Sequence, residues 1–171
     1  FKDKDGKSSL KATWYSEADM NIVAAVKSAT EINRTFVDGA QPDESVPANQ
    51  PFSVVWEGEI YPPESGQYLL GVETDRGVRM YVDGRQLIDE YYNESPMKQD
   101  RPVVMEAGKP VKVRLVYRQT RQSGQIQLKW SQPSAATIAP QKLFERVKNE
   151  GTTLILLGST ETWMKSVAEY T

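Results

Sequence analysis

The sequence predicts an all-β fold, an antiparallel β-sandwich made of two sheets. Between Phe52 and Trp130, short runs of alternating apolar and polar residues follow one another, and this period of two is typical of strands with one buried and one wet face. Turn-forming residues separate the runs at short intervals, as in sandwiches and barrels. The 171 residues suffice for one domain of this kind with a substantial core.

Three segments precede this central part. Leu10 to Tyr15 alternates as a first strand. Glu17 to Ala29 spaces its apolar residues in a way that favours a short helix. Residues 38–51 include Pro42 and Pro47 among acidic and small residues, which predicts a long surface loop.

The central strands are predicted between recognisable turns. Asp83-Gly84 is a strong two-residue hairpin signal, and Asp89 to Asp100 reads as a polar loop. The tryptophans at 14, 56 and 130 fall on apolar strand faces and are predicted to be core residues. The predicted strands cover residues 52–60, 67–73, 78–82, 86–88, 103–106, 111–117 and 125–130.

The C-terminal part changes character. Gln141 to Asn149 has helical spacing, Thr153 to Leu157 is a continuous apolar run typical of a strand buried in a parallel sheet, and a second helix follows. Because one such strand cannot form a sheet alone, we expect an incomplete α/β fragment of a following domain within a longer protein. The predicted division is a linker or upstream remnant at 1–8, a β-sandwich at 9–132, a linker at 133–140 and the fragment at 141–171.

Composition excludes several classes of function. The chain has no cysteine, which excludes disulfides and thiolate metal sites, and no histidine, the most common general base and zinc ligand. Glu57 and Glu59 share a strand face that alternates as a wet one, so we predict no catalytic residues. A net charge of −2 gives no attraction to nucleic acid or anionic membranes. We expect neither as a partner, and we expect a monomer.

The central part also carries a series of specific motifs. They read FSVVWEG at 52–58, PPESGQY at 62–68, TDRGVRMYVDG at 74–84 and LID at 87–89. In this combination they resemble the protective-antigen fourteen-kilodalton (PA-fourteen) family, and residues 9–132 are similar to it throughout. The resemblance implies a two-sheet β-sandwich of a kind found in glycosidases, glycosyltransferases, adhesins and bacterial toxins.

The resemblance also bears on calcium. Lectin members of the family bind calcium and sugar through two adjacent aspartates in the loop that here reads Asp75-Arg76-Gly77. The first is kept as Asp75, and Arg76 replaces the second. Calcium takes about six to eight oxygen ligands, and an arginine removes two and adds a repelling charge. We therefore expect no cofactor and no metal, with Asp75 as a calcium ligand only under a lectin alternative.

Five residues are candidate carbohydrate contacts. An Asp–Arg pair offers acceptors and donors to a sugar diol, although it could equally be an ion pair at a loop tip. The tyrosines offer flat apolar faces to sugar CH groups, although one could pack inward instead. The candidates are Asp75, Arg76, Tyr91, Tyr92 and Asn93.

The tail indicates the parent protein. Val147 to Gly158 resembles the first strand of an amidotransferase-like domain that occurs in some large family-2 glycoside hydrolases. Family-3 β-glucosidases also carry PA-fourteen insertions, but their acidic motif after this strand is missing from Ser159 to Thr162. The resemblance thus implies a larger glycoside hydrolase that is secreted, periplasmic or on the cell surface.

The predicted function is that of a non-catalytic accessory module of this parent. It would recognise carbohydrate or contribute to the substrate cleft, with carbohydrate or the parent's catalytic domain as its partner. Two alternatives stay open at this point. One is a structural or protein-interaction module with no sugar affinity, and the other is a calcium-dependent lectin.

Overall fold

The computed structural model describes residues 10–121 and 123–131, which form ten β-strands and no helix. They belong to the first of two units into which the chain divides, Phe1–Gln132 and Pro133–Thr171. The predicted linkers and the helix–strand–helix fragment lie outside the described residues. The strands are β1 (Leu10–Tyr15), β2 (Val23–Ala29), β3 (Asn33–Phe36), β4 (Phe52–Ile60), β5 (Gly66–Thr74), β6 (Gly77–Val82), β7 (Arg85–Glu90), β8 (Met97–Met105), β9 (Val111–Gln119) and β10 (Gly124–Ser131).

The strands form two antiparallel sheets. One has six strands in the order β2-β1-β4-β9-β6-β7, and the other has four in the order β3-β10-β5-β8. A single large cluster of buried side chains takes members from both sheets. The predicted all-β sandwich is therefore confirmed. Nothing in the part of the chain that the structure describes is a helix long and apolar enough to cross a membrane.

Aromatic rings fill one part of the core. Trp14 and Trp56 are buried as predicted, and their ring centroids lie 6.5 Å apart. Phe36 stacks on Tyr117 at 5.3 Å. The prediction for Trp130 was wrong, because this residue is 43% exposed. Burial declines along β10 toward its end, where the indole stacks on Tyr68 at 5.4 Å with one side open to solvent.

The predicted helix over residues 17–29 is also wrong. Val23–Ala29 is instead the edge strand β2, paired antiparallel with β1. Met20 has a positive φ of 61° and Ser16 donates its backbone N–H to Ile22, so the intervening residues turn the chain back as a hairpin. β-Branched valines suit a strand, and pairing with β1 outweighs the weak helical spacing.

One further prediction needs correction, one strand was not predicted, and two predictions are confirmed. The polar loop at 89–100 is shorter than predicted, because β7 runs to Glu90 and β8 begins at Met97, and β3 was not foreseen. The Asp83-Gly84 hairpin is confirmed, with φ values of 48° and 79°. The loop at 38–51 is confirmed as well, and it places Val46 in the core.

Strand register places five connections at the same end of the sandwich. Tyr15 lies opposite Ser53, Gly77 opposite Arg118, and Thr74 opposite Met97. We call this the loop end; it comprises the connections β1–β2, β3–β4, β5–β6, β7–β8 and β9–β10. β1 begins and β10 ends at the opposite end, where Leu10 pairs with Ala29 and Ser131 with Leu69.

Candidate functional site

The loop end brings all five predicted carbohydrate contacts together. Pairing of β6 with β7 sets Val78 opposite Glu90, so the β5–β6 and β7–β8 connections are adjacent. Gly77 passes Tyr91 so closely that a Cβ atom at this position would collide with the Tyr91 carbonyl oxygen. A glycine is therefore required where the two loops meet.

Arg76 is turned into the protein. The residue is only 8% exposed. One Nη donates to the Asp75 carbonyl oxygen at 2.7 Å and the other to the Ser123 carbonyl oxygen at 2.5 Å. An Nη atom also lies 3.7 Å from the Asp75 carboxylate. The guanidinium thus serves the protein's own oxygen atoms, which corresponds to the ion-pair alternative considered from the sequence.

Asp75 connects the same loop to β10 through a hydrogen bond. Its Oδ1 atom accepts the backbone N–H of Gln125 at 2.8 Å. The neighbouring Thr74 hydroxyl donates to the Gln125 carbonyl at 2.8 Å. These bonds fix the β5–β6 connection against the start of β10, and they leave the Asp75 side chain partly accessible.

The two tyrosines have different environments. Tyr91 is 7% exposed and packs with Val55 and Val116 on the outer face of the six-stranded sheet. Its hydroxyl donates to the Ala18 carbonyl at 3.1 Å, and burial raises the pKa of this phenol. Tyr92 is 75% exposed and meets the Tyr91 ring nearly at right angles, with centroids 5.1 Å apart.

Arg118 is a functional candidate that sequence reasoning missed. Its guanidinium carbon lies 5.4 Å from the centroid of Tyr91 and 5.3 Å from that of Tyr92, and its Nε lies 3.5 Å from the Asp19 carboxylate. The alternation of β9 would have placed Arg118 on the wet face. No local signal could reveal that the β1–β2 turn, which was predicted to be helical, lies over that face.

Asn93 and Glu94 shape the β7–β8 connection. The Asn93 side-chain amide donates to the Ser95 carbonyl at 2.5 Å, which forms a local turn. The Glu94 carboxylate accepts a hydrogen bond from the Thr120 hydroxyl, and its other oxygen lies 2.8 Å from Arg121 Nε. Asn93 is thus partly engaged within its own loop, while Glu94 joins this loop to the β9–β10 connection.

The surroundings of Glu94 favour its charged form. The Thr120 hydrogen bond holds the pKa of the Glu94 carboxyl below its ordinary 4.5, with further help from Arg121 and Arg76 against an opposing effect of burial. A carboxyl with a lowered pKa in the folded state stabilises the fold above its ordinary pKa, and this contribution is lost as the pH falls through the lowered value.

We therefore expect Glu94→Gln to cost about 1 kcal/mol of stability at neutral pH and progressively less in acid. Urea unfolding of both proteins between about pH 7 and about pH 3 measures the difference. A gap between the two that stays constant over this range would contradict the role of the charge.

The loop end contains groups suited to holding a polar ligand. Tyr92 offers an exposed aromatic surface, and the nearby open hollow of about 710 Å³ is lined by residues that include Asp19, Gln50, Arg118 and Thr120. These side chains provide both hydrogen-bond donors and acceptors. The arrangement resembles a recognition surface with one aromatic contact and several polar ones.

A two-sheet antiparallel sandwich that carries five of its connections at one end defines a loop-presenting β-sandwich domain. The chain belongs to the PA14 domain family, whose model matches residues 6–143. The resemblance drawn from the motifs at 52–89 is thereby confirmed.

Several proteins are similar to this chain. The anti-sigma-I factor RsgI3 of Acetivibrio thermocellus is 31% identical over 127 residues, which are 74% of this chain and 19% of that protein. The structure of an anti-sigma factor domain-containing protein from Clostridium clariflavum matches with a TM-score of 0.69 and 26% identity, over 77% of this chain and 45% of that one. This chain therefore spans about a fifth of the curated relative and less than half of that solved structure.

Two more distant structures share the fold alone. The β-glucosidase of Kluyveromyces marxianus, solved with glucose, matches with a TM-score of 0.62 and 19% identity, over 86% of this chain and 17% of the enzyme. A PA14 sugar-binding domain from an RTX adhesin matches with a TM-score of 0.61 and 17% identity, over 77% of this chain and 93% of that domain.

Proposed function

We propose that this chain is a non-catalytic carbohydrate-recognition module of a larger secreted glycoside hydrolase, and that it contacts glycan at the loop end. The observation that carries this proposal is the placement of Tyr92. Three quarters of this side chain is exposed, yet the ring is in contact with Tyr91 and lies 5.3 Å from the Arg118 guanidinium. A supported, exposed aromatic ring is suited to packing on the CH groups of a sugar.

The polar surroundings of Tyr92 support the same ligand class. The Asp19 carboxylate is 70% exposed and lies 3.5 Å from Arg118 Nε, and Gln50 and Thr120 line the adjoining hollow. Sugar hydroxyls both donate and accept hydrogen bonds, so carboxylate, amide and hydroxyl groups beside an apolar ring match their chemistry. In this proposal Asp75 and Asn93 lie at the margin of the contact, and Arg76 and Tyr91 support it from below.

Two structures that share the fold connect this kind of domain with carbohydrate. One similar structure is a sugar-binding domain of an adhesin, and another is part of a β-glucosidase. We propose that the parent is a glycoside hydrolase because the C-terminal motif at 147–158 resembles a domain of some large family-2 enzymes. In this setting the module is secreted, periplasmic or at the cell surface, and it holds substrate near the catalytic domain.

The proposal predicts that Tyr92→Ala weakens glycan binding about tenfold, because the ring's stacking contact is lost. Isothermal titration calorimetry of the 171-residue chain with soluble plant and host oligosaccharides measures the affinity. Tyr92→Phe keeps the ring and should bind nearly as well as the original chain. Trp130→Ala removes an aromatic ring at the opposite end of the sandwich and should leave binding unchanged.

Two outcomes would contradict the proposal in different ways. If the original chain binds no oligosaccharide at millimolar concentration, a structural or protein-interaction module becomes the better description. If glycan binds but Tyr92→Ala binds equally well, the contact surface lies elsewhere on the domain.

A second candidate is the same recognition module attached to a regulatory protein. It is favoured by the higher identity to the anti-sigma-I factor, 31% against 19% for the β-glucosidase. The parent reading frame distinguishes the two candidates. A complete glycoside hydrolase catalytic domain in that frame supports the first, and an anti-sigma domain supports the second.

A further inference from the structure

We infer that the Arg76 guanidinium is a built-in cation that fixes the loop end, so that this end of the sandwich keeps its shape without a bound metal ion. This goes beyond glycan recognition, because it concerns the framework that holds the loops. It stands whether or not a sugar binds there.

Arg76 donates hydrogen bonds to oxygen atoms of two different loops, much as a bound cation would contact them. Its two Nη atoms donate to the carbonyl oxygens of Asp75 and Ser123, on the β5–β6 and β9–β10 connections respectively. The Asp75 carboxylate lies 3.7 Å away. Hydrogen bonds from a charged donor are shorter and stronger than neutral ones, and the low exposure of Arg76 shields them from competing water.

The packing around Arg76 shows how closely this position is filled. A Cβ atom on Gly124 would lie 2.9 Å from Arg76 Cγ and 2.6 Å from Gln119 Oε1. Beneath the arginine, the buried Tyr117 hydroxyl donates to Gln119 Oε1 at 2.5 Å, and Gln119 Nε2 donates to the Arg121 carbonyl at 3.0 Å. The aliphatic part of Arg76 is therefore closely packed, and the hydrogen bonds of the two Nη atoms set the direction of the guanidinium.

The residues present do not fit calcium. Of the carbonyl and carboxylate oxygens that an ion at Asp75 could use, one carboxylate oxygen accepts from Gln125 and two carbonyls accept from Arg76. A divalent ion would meet the positive guanidinium at short range, and it needs about six to eight oxygens. Within residues 10–121 and 123–131, no three acidic side chains come together in a way that could hold a metal ion. Arg76 therefore takes the place of a calcium ion and does not help to bind one.

Thermal unfolding in EDTA and in millimolar calcium chloride tests this inference. The original chain should unfold at the same midpoint in both, within about 1 °C. Arg76→Ala should lower the midpoint by roughly 5–10 °C in both conditions, because two partly buried hydrogen bonds from a charged donor are lost. Arg114→Ala is the matched control, since this half-buried arginine pairs with Glu57 at 3.4 Å, and it should shift the midpoint by less than about 2 °C.

Arg76→Lys covers the case in which the alanine variant does not fold. Lysine keeps the positive charge, but it lacks the planar guanidinium whose two Nη atoms donate to two carbonyls. We expect the Gln125 amide, which is bonded to Asp75, to exchange its hydrogen at least about tenfold faster in this variant, while the central Val54 amide keeps its rate. A midpoint of the original chain that rises with calcium, or a Gln125 exchange rate that Arg76→Lys leaves unchanged, would overturn the inference.

Discussion

Trp56→Ala is expected to destabilise this domain by about 3–5 kcal/mol, the largest effect we predict for a single core substitution. The side chain lies on the central strand β4 and is fully buried. Its ring contacts Trp14 and Tyr117 at centroid distances of 6.5 and 6.4 Å, so alanine would leave a cavity between aromatic neighbours that cannot collapse easily. Urea unfolding followed by circular dichroism measures the loss.

Trp130→Ala is the matched control for this prediction. Both tryptophans lie on strands and occupy alternate apolar positions, but the indole of Trp130 is partly in water and has its main ring contact with Tyr68. Its removal should cost only about 1 kcal/mol. Equal losses for the two variants would mean that the core does not lie where the structure places it.

Gly77→Ala is expected to cost about 2–3 kcal/mol, because the added methyl group has no space. The Cβ atom would collide with the Tyr91 carbonyl oxygen and lie 3.2 Å from Arg118 Cβ. The first of these is backbone and cannot turn aside as a flexible side chain can. The collision would also separate the β5–β6 loop from the β7–β8 loop, so we expect glycan binding to weaken together with stability.

A second glycine separates this steric effect from a conformational one. Gly39 has a φ of +76° and no atom within 4 Å of an added Cβ, so Gly39→Ala should cost only the strain of a left-handed residue, about 1 kcal/mol. Thermal or urea unfolding of both variants provides the comparison. If Gly39→Ala is the more harmful substitution, the close approach of Gly77 to Tyr91 is not what matters.

The sequence pattern predicted only part of the arrangement of side chains at the loop end. A motif identified the Asp75-Arg76 turn and side-chain chemistry the tyrosine pair, and these do lie together in the fold. The pattern could not tell which groups face outward. Tyr91 is buried because the β1–β2 turn covers it through the Ala18 carbonyl, and that turn is too far away in the sequence to register in any local pattern.

The alternating strands and the Asp83-Gly84 turn determined the all-β sandwich on their own, because period-two patterning and positive-φ turn residues act locally. Tertiary structure alone decided the edge strand β2, the exposure of Trp130 and the inward orientation of Arg76. Each of these depends on which distant segment covers a residue or pairs with it, as β1 does for β2 and Ser123 does for Arg76. Burial and hydrogen-bond partners at such positions are properties of the assembled sheets, so they arise only when the chain has folded.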